Sequence, residues 1–204
     1  MIAKRIFDFF FATIGLILLL PIFALIAIWI KLDSPGPVFF RQVRVGRFGK
    51  PFKLYKFRTM YVDSESKGQL TVGEDPRITK AGYFLRKYKL DELPQLINVV
   101  KGEMSLVGPR PEVPRYVAFY PPDVRQRVLS VPPGITDFAS IMFKDENELL
   151  AQAQDPEKVY IEEILPVKLK WYEKYILERS ISLDFKLILL TLMKIIKGRS
   201  GQNA

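Results

Sequence analysis

Lys89-Leu90-Asp91-Glu92-Leu93-Pro94-Gln95-Leu96 is the stretch on which the reading of this chain turns. Two adjacent carboxylates stand among apolar and basic neighbours, with Arg86 and Lys87 just before them. Pro94 suits the first turn of a helix, where the N–H that proline lacks has no partner anyway. Leu93, Leu96, Ile97 and Val100 then recur at helical spacing as far as Gly102. The pattern predicts a helix whose N-terminus carries Asp91 and Glu92, where unpaired backbone N–H groups and the helix dipole favour anions. Two readings stay open at this point: Asp91 as a simple N-cap, and the pair as a chemical site.

Composition narrows the chemistry. The chain has 204 residues, enough for one domain with a core, and contains neither cysteine nor histidine. Disulfides, thiol nucleophiles, Ser–His or Cys–His dyads and zinc held by Cys or His are therefore excluded. Acid–base or nucleophilic work falls to carboxylates, Lys, Tyr or Ser. A metal would be held by carboxylates and phosphate oxygens, which suits magnesium. The formal net charge is +9, and the first 60 residues carry ten Lys or Arg against Asp8 and Asp33. A basic face beside an apolar segment points to an anionic membrane surface or phosphate ligands. Nucleic acid is the poorer reading, since it leaves unexplained why the cations flank the most apolar stretch.

That stretch, Phe9 to Ile30, runs 22 residues without a charge. As a helix it is about 33 Å long, enough to cross a bilayer. It is too long for a signal-peptide core and has no convincing cleavage site, so it is expected to be retained. Lys4 and Arg5 precede it, and Lys31, Arg41, Arg44 and Arg47 follow it, although positive charge marks the cytoplasmic side. Pro21 falls near its middle and favours a bend. Both features favour a re-entrant helix entering and leaving by one face over a single-pass helix with a tolerated proline.

Beyond Lys31 the reading is α+β, mainly helical. The expected division is a membrane-anchoring helix over 1–31 and a cytoplasmic domain over 32–204, with no internal repeat. Asp33-Ser34-Pro35-Gly36-Pro37 is a turn cluster. Val38–Val45 and Pro51–Thr59 read as a hairpin in which basic residues alternate with aromatics. Tyr61–Lys80 reads as a long polar loop, a lid or a disordered segment. Gly102–Pro111 is a Gly/Pro-fixed loop that presents Arg110, whose rigid guanidinium suits bidentate phosphate binding or a plain surface turn. Pro132–Thr136 is a second such loop. The acidic residues from Asp145 to Glu163 show no ligand spacing and read as a solvated face. Tyr160, Ile164, Trp171 and Tyr175 read as core, interrupted by Pro166. Leu183–Lys197 reads as an amphipathic helix too short and too charged to span, suited to the membrane interface or to pairing with a second copy.

Taken together, these motifs resemble the bacterial sugar transferases, the monotopic phosphoglycosyl transferases acting on polyprenyl phosphate. The resemblance rests on Lys4-Arg5-Ile6-Phe7-Asp8, Ser34-Pro35-Gly36-Pro37, Lys56-Phe57-Arg58-Thr59-Met60, Asp75-Pro76-Arg77-Ile78-Thr79, Leu85-Arg86, Leu90-Asp91-Glu92-Leu93-Pro94-Gln95, Met104–Pro111 and Pro133-Gly134-Ile135-Thr136, in that order. It implies transfer of a phospho-sugar from a UDP-sugar to undecaprenyl phosphate, with UMP leaving and a lipid diphosphate sugar formed. It also implies Mg2+, a re-entrant helix, and an active site on the cytoplasmic face of the bacterial plasma membrane. Asp91 would be the nucleophile, Glu92 its partner, and both candidate metal ligands. Arg86, Arg58, Lys56 and Arg110 are the candidate phosphate-binding cations. Gly108, Pro111, Gly134 and Thr136 are candidates for a nucleotide or sugar loop. The implied partners are UDP-sugar, undecaprenyl phosphate and membrane lipid, with a homodimer open and no nucleic acid. A non-catalytic lipid-phosphate binder on the same scaffold is the rival, and direct transfer in a ternary complex the rival mechanism. Two departures stand out. Leu20-Pro21 replaces the Ser-Pro common at the family's helix bend, and Asp137-Phe138 follows the second loop where many members have Gly then Trp or Leu.

Overall fold

The uncharged run forms a single helix, α1 (Ile2–Asp33), that continues through Pro21. A computed structural model of the chain describes residues 2–64, 75–142 and 146–197. Most of the central side chains of α1 are exposed, Leu18, Leu20 and Leu25 among them. Its buried residues are Asp8, Ala12, Ile26 and Ile30. Eighteen residues make about five helical turns, so Asp8 and Ala12 share a face with Ile26 and Ile30. That face meets the rest of the protein at both ends of the helix.

After the turn at Ser34–Pro37, β1 (Phe39–Val45) pairs antiparallel with β2 (Pro51–Phe57), in register from Phe39 opposite Phe57 to Val45 opposite Pro51. A short turn at Arg47–Gly49 joins them, with Phe48 and Gly49 both at positive φ. This is the expected hairpin. Alternation along β2 buries Phe52 and Leu54 and carries Lys56 onto the same face. The polar loop expected over 61–80 lies in part outside the described residues. Its base is closed by a bridge between Met60 and Ile78.

α2 (Lys80–Lys87) is capped by Thr79, whose hydroxyl accepts the Gly82 N–H at 3.0 Å. α3 (Gln95–Lys101) ends at Gly102, whose φ of 84° closes the helix in the left-handed region. The face of α3 turned inward is Gln95, Asn98 and Val99, not the apolar line read from the sequence. Asn98 explains this. Its amide donates to the Lys53 carbonyl (2.8 Å) and the Glu103 carboxylate (2.7 Å), and its oxygen accepts the Tyr55 N–H (3.0 Å). A fully satisfied buried amide thus fastens α3 to β2, while Leu96 and Val100 pack beside Ala12 of α1.

β3 (Ser105–Val107) runs parallel to β4 (Gly134–Thr136), and the two glycine loops cross there. A Cβ on Gly134 would lie 2.0 Å from the Gly108 nitrogen, so only glycine permits the approach. Around this crossing stand α4 (Pro114–Val117), α5 (Pro122–Val128), α6 (Phe138–Met142), α7 (Glu146–Gln152) and α8 (Pro156–Val159). A π turn at Tyr160–Ile164 leads into α9 (Leu165–Glu178) and places Pro166 harmlessly in its first turn. Tyr160, Ile164 and Tyr175 are core, as expected, and Trp171 stacks on Phe138. α10 (Ile181–Lys197) buries Asp184 and Leu187 and exposes Phe185, Leu189, Leu192 and Met193, a two-faced helix. The fold is mainly helical α+β.

Candidate active site

Asp91 and Glu92 lie on a tight 3-10 turn, Leu90–Glu92, that precedes α3. Lys89 enters it at a φ of 55°, a left-handed conformation uncommon outside glycine. The dyad thus lies one turn ahead of the helix expected to carry it, among side-chain cations. Lys56 Nζ lies 2.9 Å from Glu92 Oε1. Arg110 grips the same carboxylate with both terminal nitrogens, Nη2 on Oε1 and Nη1 3.3 Å from Oε2. Among the described residues these ion pairs converge on Glu92 and leave Asp91 outside them.

The two carboxyls are accordingly driven apart. Burial raises the pKa of Asp91 from its ordinary value, against the opposing pull of Lys56, and holds it up while Glu92 falls below the usual carboxylate range. Burial also works to raise Glu92, but Arg110 and Lys56 outweigh it and hold Glu92 well below that range. The Glu92 charge in turn pushes Arg110 up, and burial lowers Lys56 despite its carboxylate partner. Neighbouring acids with separated ionisation are characteristic of sites where each has its own task.

Arg86 joins from α2. Its Nε donates to the Thr59 hydroxyl at 2.9 Å, and its charge favours the ionised form of Asp91. α2 is seated this closely because Gly82 has no Cβ: one placed there would lie 2.0 Å from the Thr59 carbonyl oxygen.

Residues 1–198 match the family model described as "Bacterial sugar transferase". The chain belongs to that family. It is 40% identical over 195 residues to the UDP-glucose:undecaprenyl-phosphate glucose-1-phosphate transferase of Escherichia coli K12, a match covering 94% of this chain and 39% of that protein. It is 53% identical over 112 residues to a Bacillus subtilis protein named "Putative undecaprenyl-phosphate N-acetylgalactosaminyl 1-phosphate transferase", covering 54% of this chain and 63% of the relative. The uncharacterized sugar transferase EpsL of Bacillus subtilis is 40% identical over 203 residues, covering 99% of this chain and 91% of its own. The first two matches therefore span less than two thirds of each relative's length.

The expected site residues divide into two groups. Asp91, Glu92, Lys56, Arg110 and Arg86 are brought together. Arg58 is not brought to that group. Arg58 is 4% exposed, and its guanidinium faces the end of α1. There it donates to the Ser34 hydroxyl (2.8 Å) and to the carbonyls of Ser34 (2.8 Å), Pro35 (2.9 Å) and Pro37 (2.7 Å). Gly108 and Gly134 form the backbone crossing itself. Thr136 accepts the Gly108 N–H through its carbonyl at 3.0 Å, and Pro111 accepts from Arg44 at 3.2 Å. These four residues hold the loop that presents Arg110. Asp137 caps α6, its Oδ1 accepting the Ser140 N–H at 2.8 Å, and its charge reaches Arg110.

The reading of the sequence missed a buried network behind the Arg110 loop. Glu112 accepts the Tyr160 hydroxyl at 2.5 Å, and Lys168 Nζ lies 3.0 Å from Glu146 and 3.9 Å from Glu112. Arg44 stands 3.6 Å from Glu112, whose carbonyl also accepts the Val45 N–H at 2.9 Å. No periodicity marks these residues, because they come from four separated segments. It also missed the role of the Lys4–Asp8 motif. Arg5 donates to the carbonyls of Val99 (2.5 Å) and Val100 (2.8 Å) at the end of α3, and Asp8 accepts the Leu106 N–H at 3.1 Å.

Among the described residues no three acidic side chains cluster as a ready-made metal cage. The donor set fits a magnesium ion held by one carboxylate and completed by phosphate oxygens and water. Asp91 is the carboxylate available for it, since Glu92 is already engaged by two cations.

Proposed function

We propose that this protein transfers a phospho-sugar from a UDP-sugar to undecaprenyl phosphate, releasing UMP and leaving a lipid diphosphate sugar. The observation that carries the reading is the division of labour in the dyad: Asp91 is outside the ion pairs and made more basic by burial, beside a Glu92 locked to Lys56 and Arg110. The names of the relatives, among them UDP-glucose:undecaprenyl-phosphate glucose-1-phosphate transferase, support the same reaction class.

In the first step an Asp91 carboxylate oxygen attacks the sugar-proximal phosphorus, and the bond to the UMP oxygen breaks with its electron pair. In the second, a phosphate oxygen of the lipid attacks the same phosphorus and expels the Asp91 carboxylate. Lys56, Arg86 and Arg110 offset the negative charge that gathers as an anionic nucleophile meets an anionic substrate. A magnesium ion, when bound, would neutralise diphosphate oxygens as UMP leaves. Asp91 is the residue that would hold it.

The protein acts at the membrane on this reading, on the cytoplasmic face. α1 is long and apolar enough to cross a bilayer. Yet Arg5 and Asp8 at one end and Ser34 at the other bind the same body of the protein. Both ends on one side favour a re-entrant path over a span. The test is UMP release from a panel of UDP-sugars with purified protein, magnesium and undecaprenyl phosphate. Release with at least one sugar is expected, falling by at least about 10³-fold in Asp91→Asn, the scale of losing a covalent nucleophile. Release unchanged in the variant would remove Asp91 as nucleophile. Converging double-reciprocal lines would replace the two-step route with a ternary complex.

A further inference from the structure

Glu92 and Arg110 are arranged as a fork against a fork, the geometry by which arginine also takes up phosphate. Lys56 closes on the same Oε1 from β2. Both cations therefore spend donors on one carboxylate, at a position adjacent in the chain to Asp91. Lys56, Arg110 and Arg86 stand against Asp91 and Glu92, so the site carries only one positive charge in excess. With Glu92 in place Lys56 and Arg110 have little left for a diphosphate, whereas without it they would offer a doubly charged, pre-formed seat.

We infer that Glu92 is a resident stand-in for a donor phosphate. It occupies the anion seat made by Lys56 and Arg110, and a phosphate group of the substrate displaces it. The inference rests on the transferase reading for the identity of the substrate but not for the existence of the seat. It differs from a permanent orienting role, in which Glu92 would hold the two cations in place for the phosphate and its loss would weaken binding. Exchange explains why the seat is built on the residue next to the nucleophile: the group that displaces Glu92 is delivered beside Asp91. It also keeps two cations paired in a partly buried site when no substrate is present, where an uncompensated charge is costly.

The experiment is titration calorimetry of full-length protein in nanodiscs with inorganic pyrophosphate and with UDP, in EDTA, comparing wild type with Glu92→Gln. Glutamine keeps the shape and removes the competing charge. Exchange predicts that both probes bind the variant at least about tenfold tighter. Equal or weaker binding in a variant that melts like wild type overturns the inference. If the variant does not fold, the structure of wild type with UDP decides. A phosphate in the Arg110 fork with Glu92 displaced supports exchange, and Glu92 still paired to Arg110 overturns it. The two readings fail separately. Wild type that releases UMP while Glu92→Gln binds no tighter refutes the stand-in alone. A tighter variant alongside wild type that releases no UMP from any sugar nucleotide refutes the transferase reading alone.

Discussion

Replacing Arg58 by alanine separates a clamp from a ligand. The guanidinium makes four hydrogen bonds of 2.9 Å or shorter to the turn that ends α1. On its removal the carbonyls of Pro35 and Pro37, both in exposed residues, return to water. The Ser34 carbonyl and hydroxyl do not, because Ser34 is only 5% exposed. Two stranded acceptors cost about 1–3 kcal/mol each, so the loss is ~2–6 kcal/mol. Against a total stability of roughly 5–15 kcal/mol this is a large share. At about 2–4 °C per kcal/mol for a domain of this size, the melting temperature should fall by roughly 4–24 °C. Tryptophan fluorescence in detergent micelles reads it directly, since Trp29 sits in the last turns of α1 and rests against Phe84 of α2. The donor KM of the protein that remains folded at low temperature should hardly move. A variant that melts like wild type but needs tenfold more UDP-sugar would refute the clamp and restore Arg58 to the substrate.

Two further outcomes are expected. Burial raises the pKa of Asp91, so in magnesium-free protein its carboxyl should titrate above the ordinary aspartate value of about 3.9. The stability from Glu92 has the opposite sign: its folded pKa is depressed, so that contribution is present above the unfolded value of about 4.3 and is lost as pH falls through the folded one. Carboxyl NMR of Asp91 in EDTA with a parallel melt series checks both, and titration at or below the ordinary value would contradict the buried Asp91. Gly134→Ala should cost ~3 kcal/mol, the upper end for overpacking, because its Cβ meets the Gly108 backbone nitrogen at 2.0 Å. Denaturant unfolding and UMP release should both suffer as the Arg110 loop is displaced, and a fully stable, fully active variant would contradict the crossing.

What could be read from the sequence was what periodicity and turn chemistry encode. The hairpin, α1, the two-faced α10, the Gly102 stop and the placement of Asp91 and Glu92 just ahead of α3 all have local signatures. Arg110 was legible because Gly and Pro fix the loop around it. The seat of Arg58 was not legible, because an arginine among basic and aromatic neighbours looks the same whether it meets a phosphate or a ring of carbonyls; only the approach of Ser34 distinguishes its position. The inward face of α3 was hidden for a related reason. Asn98 is buried because three partners from two other segments satisfy it, and satisfaction across segments leaves no periodic trace. The Glu112 network escaped in the same way.

The docking of α1 also has a bearing on how the chain is made. Lys4 Nζ lies 2.5 Å from Asp184 Oδ2, a partner 180 positions later. At about 5–20 residues per second, the ribosome delivers that partner ~10–40 s after the lysine. Arg5 waits for Val99 and Val100, and Asp8 for Leu106. If α1 enters the membrane as proposed, it does so long before its charged end can lock. During that interval Lys4, Arg5 and Asp8 would have only lipid headgroups and water for company. Messages truncated before codon 184 would yield proteins that reach the membrane yet never fasten to it, and slow translation of the last third of the chain should prolong exposure to proteases at that end.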